Sequence, residues 1–234
     1  MTLKRTAQTL GTAAGCAALV FWGTLISSPT VRADDSANAS SDEARIEQGL
    51  QIAPVHLTYA KQDRKLVGLG SYIVNSVSGC NGCHSAGPQT EFAPGLNPYF
   101  GQPKQDNPET YLAGGRDFGT ISAPPSPHIV SRNLTPDVSG LPEGGATFAE
   151  FTETMRDGID HDQLHPNCSA AITTNCFPHG PGLPPFDGDL LQIMPWPEYQ
   201  EWTDHDLQAV YAYLKAIPCT QTPSEAAAGV HMCS

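Results

Sequence analysis

The sequence predicts an all-α chain with long irregular connections. Three stretches carry apolar residues at helical spacing, and none shows the alternation of a half-buried strand. Between those stretches, 22 glycines and 21 prolines in 234 residues break up the chain.

Residues 1–33 open with Lys4 and Arg5 and continue through the apolar run GTAAGCAALVFWGTLI. They end in Val31-Arg32-Ala33, the small-x-small pattern of a secretory cleavage site, so the mature chain is expected to start at Asp34. A retained membrane anchor is the competing reading, because the run approaches the length of a spanning helix. The cleavage pattern and the polar stretch behind it favour a signal peptide that leaves no stable membrane span. Cys16 lies inside the run and goes with the discarded segment.

Loss of Lys4, Arg5 and Arg32 leaves nine basic residues against 24 acidic ones, a formal charge of −15. Such a surface repels phosphate backbones and anionic membranes, which excludes nucleic acid and suits a partner with a basic face. About 200 residues remain, enough for one domain with long loops or two small ones.

Residues 34–44, DDSANASSDEA, are small, polar and acidic and are expected to be a disordered leader. The whole of 34–64 reads as that leader followed by an extended segment. The first helix is predicted over 65–78, where Leu66, Leu69, Ile73 and Val77 form one stripe with Gly70 upon it. Glycine costs about 1 kcal/mol against alanine inside a helix, so Gly70 marks the close approach of a second helix. That partner is expected in WTDHDLQAVYAYLKAIP. Thr203 and Asp206 cap it, Leu207, Val210, Tyr211 and Leu214 form its apolar face, and Pro218 stops it. In TFAEFTETMRDG, Thr147 and Glu150 form a capping box, Phe148, Phe151 and Met155 share a face, and Gly158 terminates the run. The glycine and proline density of residues 86–146 predicts ordered loops.

The chemistry concentrates in SGCNGCHSAGP, residues 78–88. Two cysteines three apart suit a thioredoxin-like redox pair, half of a zinc site, or the attachment point of a c-type haem. A redox pair needs a helix beginning at the first cysteine, whereas here a predicted helix ends before Cys80. Zinc needs a second ligand pair, and no second Cys-x-x-Cys exists. Haem attachment accounts for every position: Cys80 and Cys83 each add to one vinyl group, and His84 is delivered to the iron. One covalent haem c is therefore expected.

The segments LVGLGSYIVNSVSGCNGCHSAG, YLAGGRDFG, SRNLTPDVSG, FAEFTETMRDGIDHDQLHP and MPWPEYQEWTDHDLQAVYAYLKAIP resemble class I c-type cytochromes. More closely, they resemble the cytochrome domains in the cytochrome subunits of bacterial alcohol and sugar-acid dehydrogenases. The resemblance implies N- and C-terminal helices packed around a covalent haem, over residues 65–218. Together with the signal peptide, a periplasmic or secreted location in a bacterium is expected. Those subunits usually carry several haem motifs, and this chain carries one. Family order runs from haem motif to a methionine on a loop to the last helix, which implies Met194 as the second iron ligand, nine residues before Thr203. Met155 is read as core, and His128, His165, His179 and His205 are the candidates for histidine ligation instead.

Met194 lies 110 residues beyond His84, and much of that length is an insertion at 166–193. Its outline HPNCSAAITTNCFPH spaces His165, Cys168, Cys176 and His179 in a way that zinc would accept. A Cys168–Cys176 disulfide is preferred, because an exported chain meets oxidising conditions and four non-haem cysteines are an even number. Three pairings are possible in principle, and local pairing leaves Cys219 with Cys233, closing the 219–234 tail.

Other residues take supporting roles. A loop carbonyl near Pro94 or Pro98 is the expected partner for the second ring nitrogen of His84. Arg116 and Arg132 are candidates for pairing with haem propionates, with plain solvation the alternative. Trp196 and Tyr199 are candidates to line the haem crevice. The leading reading is a closed-site carrier of single electrons between redox proteins, not itself an enzyme; the alternatives are a haem enzyme or gas-binding protein with an open iron position, and the electron-accepting subunit of a dehydrogenase.

Overall fold

The computed structural model describes residues 33–120, 128–161, 177–178, 185–186, 189–222, 225 and 232–233. Residues 1–32, 162–176, 179–184 and 187–188, which include Cys16, His165, Cys168, Cys176 and His179, lie outside them. Among the described residues the α-helical elements are, in order, α1 (Ala33–Ile52), α2 (Arg64–Tyr72), the short turn α3 (Pro142–Gly145), α4 (Phe148–Asp157), α5 (Trp196–Tyr199) and α6 (Asp204–Ala216). Among the described residues the one pairing of strands is a two-residue antiparallel match, β1 (Phe177–Pro178) with β2 (Pro185–Phe186). No described helix is long and apolar enough to cross a membrane.

Helix α2 is the hub, and its two glycines explain why. A Cβ at Gly70 would lie 1.9 Å from the Ala209 carbonyl oxygen of α6, so the two helices meet backbone to backbone. A Cβ at Gly68 would lie 2.7 Å from the Ile46 carbonyl oxygen, and one at Gly49 would lie 1.9 Å from that of Gly68. Helix α1 therefore crosses α2 just as closely.

This corrects the expectation of a disordered leader over 34–44 and of non-helical chain as far as residue 52, while residues 53–60 are free of helix as expected. The chain is helical from Ala33 to Ile52 because Ile46 and Leu50 have an apolar surface to cover, and Gly49 allows the approach. The segment is tied further by an Arg64–Glu47 ion pair at 2.8 Å and by the Ser71 hydroxyl, which donates to the Gly49 carbonyl at 2.6 Å.

The two capping boxes form as predicted, Thr147 with Glu150 on α4 and Thr203 with Asp206 on α6, and Gly158 ends α4 at φ 71°. Phe151 and Met155 of α4 are buried, and Tyr211 of α6 meets Phe148 and Phe151 at ring distances of 5.3 and 5.5 Å. Leu69, Ile73, Leu207, Val210 and Leu214 enter the core, but Val77 is 64% exposed. The cause is a π-turn over Ile73–Val77, closed by the Ser78 amide donating to the Ile73 carbonyl at 2.9 Å. Its extra residue rotates the stripe away from the core.

The same turn places Asn75 beside two buried tyrosines that are 102 residues apart in the chain. Tyr111 donates its hydroxyl to Asn75 Oδ1 at 2.5 Å, Tyr213 OH lies 2.7 Å from Tyr111 OH, and Asn75 Nδ2 donates to Tyr213 at 3.2 Å. Burial raises the pKa of both phenols, that of Tyr111 well above its ordinary value. Beyond α6 a disulfide joins Cys219 to Cys233 with Cα atoms 5.7 Å apart, the pairing expected for the tail.

Replacing Gly70 by alanine drives a methyl group into the Ala209 carbonyl. The expected loss is about 1–3 kcal/mol, seen as a lower denaturation midpoint in urea at unchanged slope.

Candidate functional site

The chain leaves the π-turn through Gly79, whose φ of 60° stops the helix, and enters a single 3₁₀ turn over Cys80–Gly82. The Cys83 and His84 amides both donate to the Cys80 carbonyl, at 3.1 and 3.0 Å. This turn presents Cys80, Cys83 and His84 together. Cys80 is half-buried against the core and Cys83 is exposed; among the described residues these are the free thiols. Burial pushes the Cys80 thiol up to about 12.

Two loops hold the turn from the other side. The side chain of Asn81, between the cysteines, accepts from the Leu112 amide at 3.0 Å and donates to the Glu91 carbonyl at 3.4 Å. Leu112 has φ 55°, a left-handed conformation that the Asn81 bond and its buried side chain hold in place. The Gly114 amide donates to the His84 carbonyl at 2.8 Å, and Arg116 Nη1 donates to the Gly82 carbonyl at 2.6 Å. Loop 110–119 pairs in turn with loop 129–134. The Gly115 amide donates to Ser131, the Ser131 amide to Arg116 and the Leu134 amide to Leu112, all at 2.8–2.9 Å.

This pairing delivers the partner of His84. Its Nδ1 donates to the Arg132 carbonyl at 2.7 Å, which corrects the expectation of a carbonyl near Pro94 or Pro98. Gly114, at φ 72°, makes room: a Cβ there would lie 2.3 Å from the Arg132 carbonyl carbon. Burial lowers the pKa of the imidazole, only partly offset by that hydrogen bond. A neutral ring with its proton on Nδ1 leaves Nε2 as a lone-pair donor, the state in which histidine ligates a metal.

Met194 lies in a strap between α4 and α6. The Leu191 amide donates to the Gly158 carbonyl at 2.8 Å, and Trp196 Nε1 donates to the Leu191 carbonyl at 2.9 Å. The Trp196 ring presses on Gly158, where a Cβ would come within 2.4 Å of it. Met194 itself is half-buried against the core that Cys80 also touches. Tyr199 lies on α5, directly after the strap, within electrostatic reach of the cysteine turn. Burial pushes its phenol up to about 12, and Cys80 and Cys83, when ionised, add to that shift. Its ring lies 4.7 Å from that of Trp202.

The structure thus presents Cys80, Cys83 and His84 on one turn, while Met194 and Trp196 lie on the strap, and Met194, Tyr199 and Cys80 pack against the same core. Arg116 lies beside the turn with its guanidinium 4.8 Å over the Phe118 ring, and Arg132 forms an ion pair with Asp160. Arg132 contributes its backbone carbonyl to His84, and its side chain is shared with Asp160. The sequence reading missed Asn81, Gly114 and the Arg132 carbonyl; the paired glycines of AGGRDFG were the available signal for a close approach. Among the described residues no group of three or more His, Cys, Asp or Glu side chains is gathered to hold a metal ion.

Comparison with known proteins finds two similar chains, each named alcohol dehydrogenase (quinone), cytochrome c subunit, from Gluconacetobacter polyoxogenes and Komagataeibacter europaeus. Each is 29% identical over 152 residues, which cover 64% of this chain and 22% of the relative. The chain therefore spans about a fifth of the length of these curated relatives. The similarity supports a cytochrome c-like relationship. No family profile matches the chain, and no solved structure does.

Replacing Asn81 by alanine strands the buried Leu112 amide without an acceptor. An expected cost of about 1–3 kcal/mol should appear as a lower thermal midpoint, whereas Asn81→Asp, which keeps an acceptor oxygen, should recover part of it.

Proposed function

We propose that the chain is a single-haem c-type cytochrome that carries one electron at a time between redox proteins on the exported side of a bacterial membrane. The observation that carries this reading is the turn itself. Two unpaired thiols and a histidine are presented together, and the histidine has its Nδ1 committed to a backbone carbonyl, which leaves Nε2 for iron. That donor set fits a covalently bound haem, with Cys80 and Cys83 each adding its S–H across a vinyl double bond and His84 as first ligand. The names of the similar chains point the same way.

When bound, the group supplies an iron that alternates between ferric and ferrous states. The chain does the rest. The Arg132 carbonyl orients the His84 ring, and the α4–α6 strap offers the Met194 thioether as second ligand. Tyr199 and Trp196 shield the site from water, and Arg116 and Arg132 stand as candidate partners for propionates. A thioether is a soft, weak donor that favours ferrous iron and closes the coordination sphere, which suits electron relay and disfavours catalysis. The acidic chain repels anionic partners and favours a basic docking face. The relatives are named as dehydrogenase subunits, so a dehydrogenase is the favoured partner. Co-purification with one would assign the chain to that complex, and its absence would favour a free carrier.

Absorption spectra of both redox states, with and without carbon monoxide, test the ligation. The native ferrous protein should ignore carbon monoxide, while Met194→Ala should bind it, lose the sulfur-to-iron charge-transfer band and show a lower potential. Ready binding by the unmutated protein would instead mean an open iron and favour an enzyme or sensor.

Electron-transfer rates with a cationic partner should fall as salt is raised from 0.1 to 1 M, because the Debye length shrinks from about 10 Å to about 3 Å. A rate independent of salt, measured by stopped flow, would point to apolar docking or a permanent complex.

A further inference from the structure

The carbonyl that receives His84 belongs to a peptide that the C-terminal tail holds from behind. The Arg132 carbonyl and the Asn133 amide share one planar unit, so fixing Asn133 fixes the direction of that carbonyl. On one side the plane rests on Gly114, where a Cβ would lie 2.4 Å from the Arg132 oxygen and 2.6 Å from the Asn133 nitrogen. On the other side the Asn133 side chain, only 7% exposed, uses both ends. Its Oδ1 accepts from the Thr135 amide at 2.9 Å and the Thr135 hydroxyl at 2.7 Å. Its Nδ2 donates to the Thr220 carbonyl at 2.7 Å and to the Glu225 carboxylate at 3.1 Å.

Both of those acceptors lie on the loop that the disulfide closes. Thr220 follows Cys219 directly, and its amide donates back to the Thr135 hydroxyl at 3.0 Å. Glu225 is held in turn by the Thr222 amide at 2.7 Å and the Thr222 hydroxyl at 2.9 Å. Met232, next to Cys233, is buried. The tail returns to this place 14 residues after leaving it because Cys233 is joined to Cys219.

We propose that Asn133 is a positioning residue, held by the disulfide-closed tail, that aims the Arg132 carbonyl at His84 Nδ1 and so sets the donor strength of His84 toward the haem. The last step rests on the function proposed above; the positioning does not. A well-aimed acceptor makes the imidazole more electron-rich, which stabilises ferric iron. Opening the tail lets the peptide tilt, weakens the bond and raises the potential.

Three variants test this: Asn133→Ala, the double variant Cys219→Ser with Cys233→Ser, and Met155→Ala as a control for general loss of core stability. The first readout is solvent exchange of the His84 Nδ1 proton by NMR in the protein as purified, which needs no bound haem. Exchange should quicken severalfold in the first two variants and stay unchanged in the control. The second readout is the midpoint potential, which should shift upward in the same two and not in the control. Should Asn133→Ala fail to fold, the serine double variant carries both measurements. Unchanged exchange in a folded, tail-opened protein overturns the positioning, whatever happens to its melting temperature. Altered exchange with a fixed potential overturns the tuning alone. Loss of colour from the unmutated protein on acid and solvent extraction overturns the haem reading instead, and leaves the exchange result standing.

Discussion

The backbone contact between Gly70 and Ala209 is the constraint from which the arrangement of the site follows. Helices α2 and α6 come from opposite ends of the described chain, and they meet closely only because α2 lacks a side chain at the crossing. With α6 seated there, Tyr213 reaches Tyr111 and Asn75, and the loop around Tyr111 is drawn against the end of α2. The cysteine turn begins where that helix ends, so its starting position is set by a contact ten residues upstream. Helix α1 supports α2 from another side through Gly49 and Gly68, which makes α2 a strut gripped at two points.

From this strut outward, the site is held by main-chain atoms more than by side-chain packing. Leu112, Gly114 and Arg116 grip the turn from one loop, and a second loop, zipped to the first, supplies the acceptor for His84. Loops so rich in glycine lose much conformational entropy on ordering, and these hydrogen bonds are what offsets it. The density of Gly and Pro therefore marks a cradle whose backbone must come close to the histidine, a role that bulkier residues would obstruct.

What was legible in the sequence was whatever depends on local spacing. The two capping boxes, the stop at Gly158 and the apolar stripes of α4 and α6 are all set within one helical turn of the residues that announce them. Gly70 was readable because a glycine inside an apolar stripe has few explanations. The helix at Ala33–Ile52 was hidden by its polar first half, since its burial depends on Ile46, Leu50 and a glycine contact with a helix that begins 12 residues later. Val77 was misplaced because a π-turn shifts phase without a sequence signature. The partner of His84 lies 48 residues away and is a backbone oxygen, an atom that every residue type carries, so no residue pattern could have singled it out.

The unequal exposure of the two cysteines bears on the order of assembly. Cys83 faces solvent in the folded chain, while Cys80 is packed against the core, with Tyr199 beside it. On the proposed reading both sulfurs must react with one rigid planar molecule, and a half-buried thiol packed against the core is less open to a group of that size than Cys83 is. The covalent bonds would then form more readily while the C-terminal half is still away from the turn. On that reading, seating of α6 on Gly70 and closure of the Met194 strap would follow attachment. A fold that tied its last helix down early would hinder its own loading, so late seating of the C-terminal segment would favour assembly.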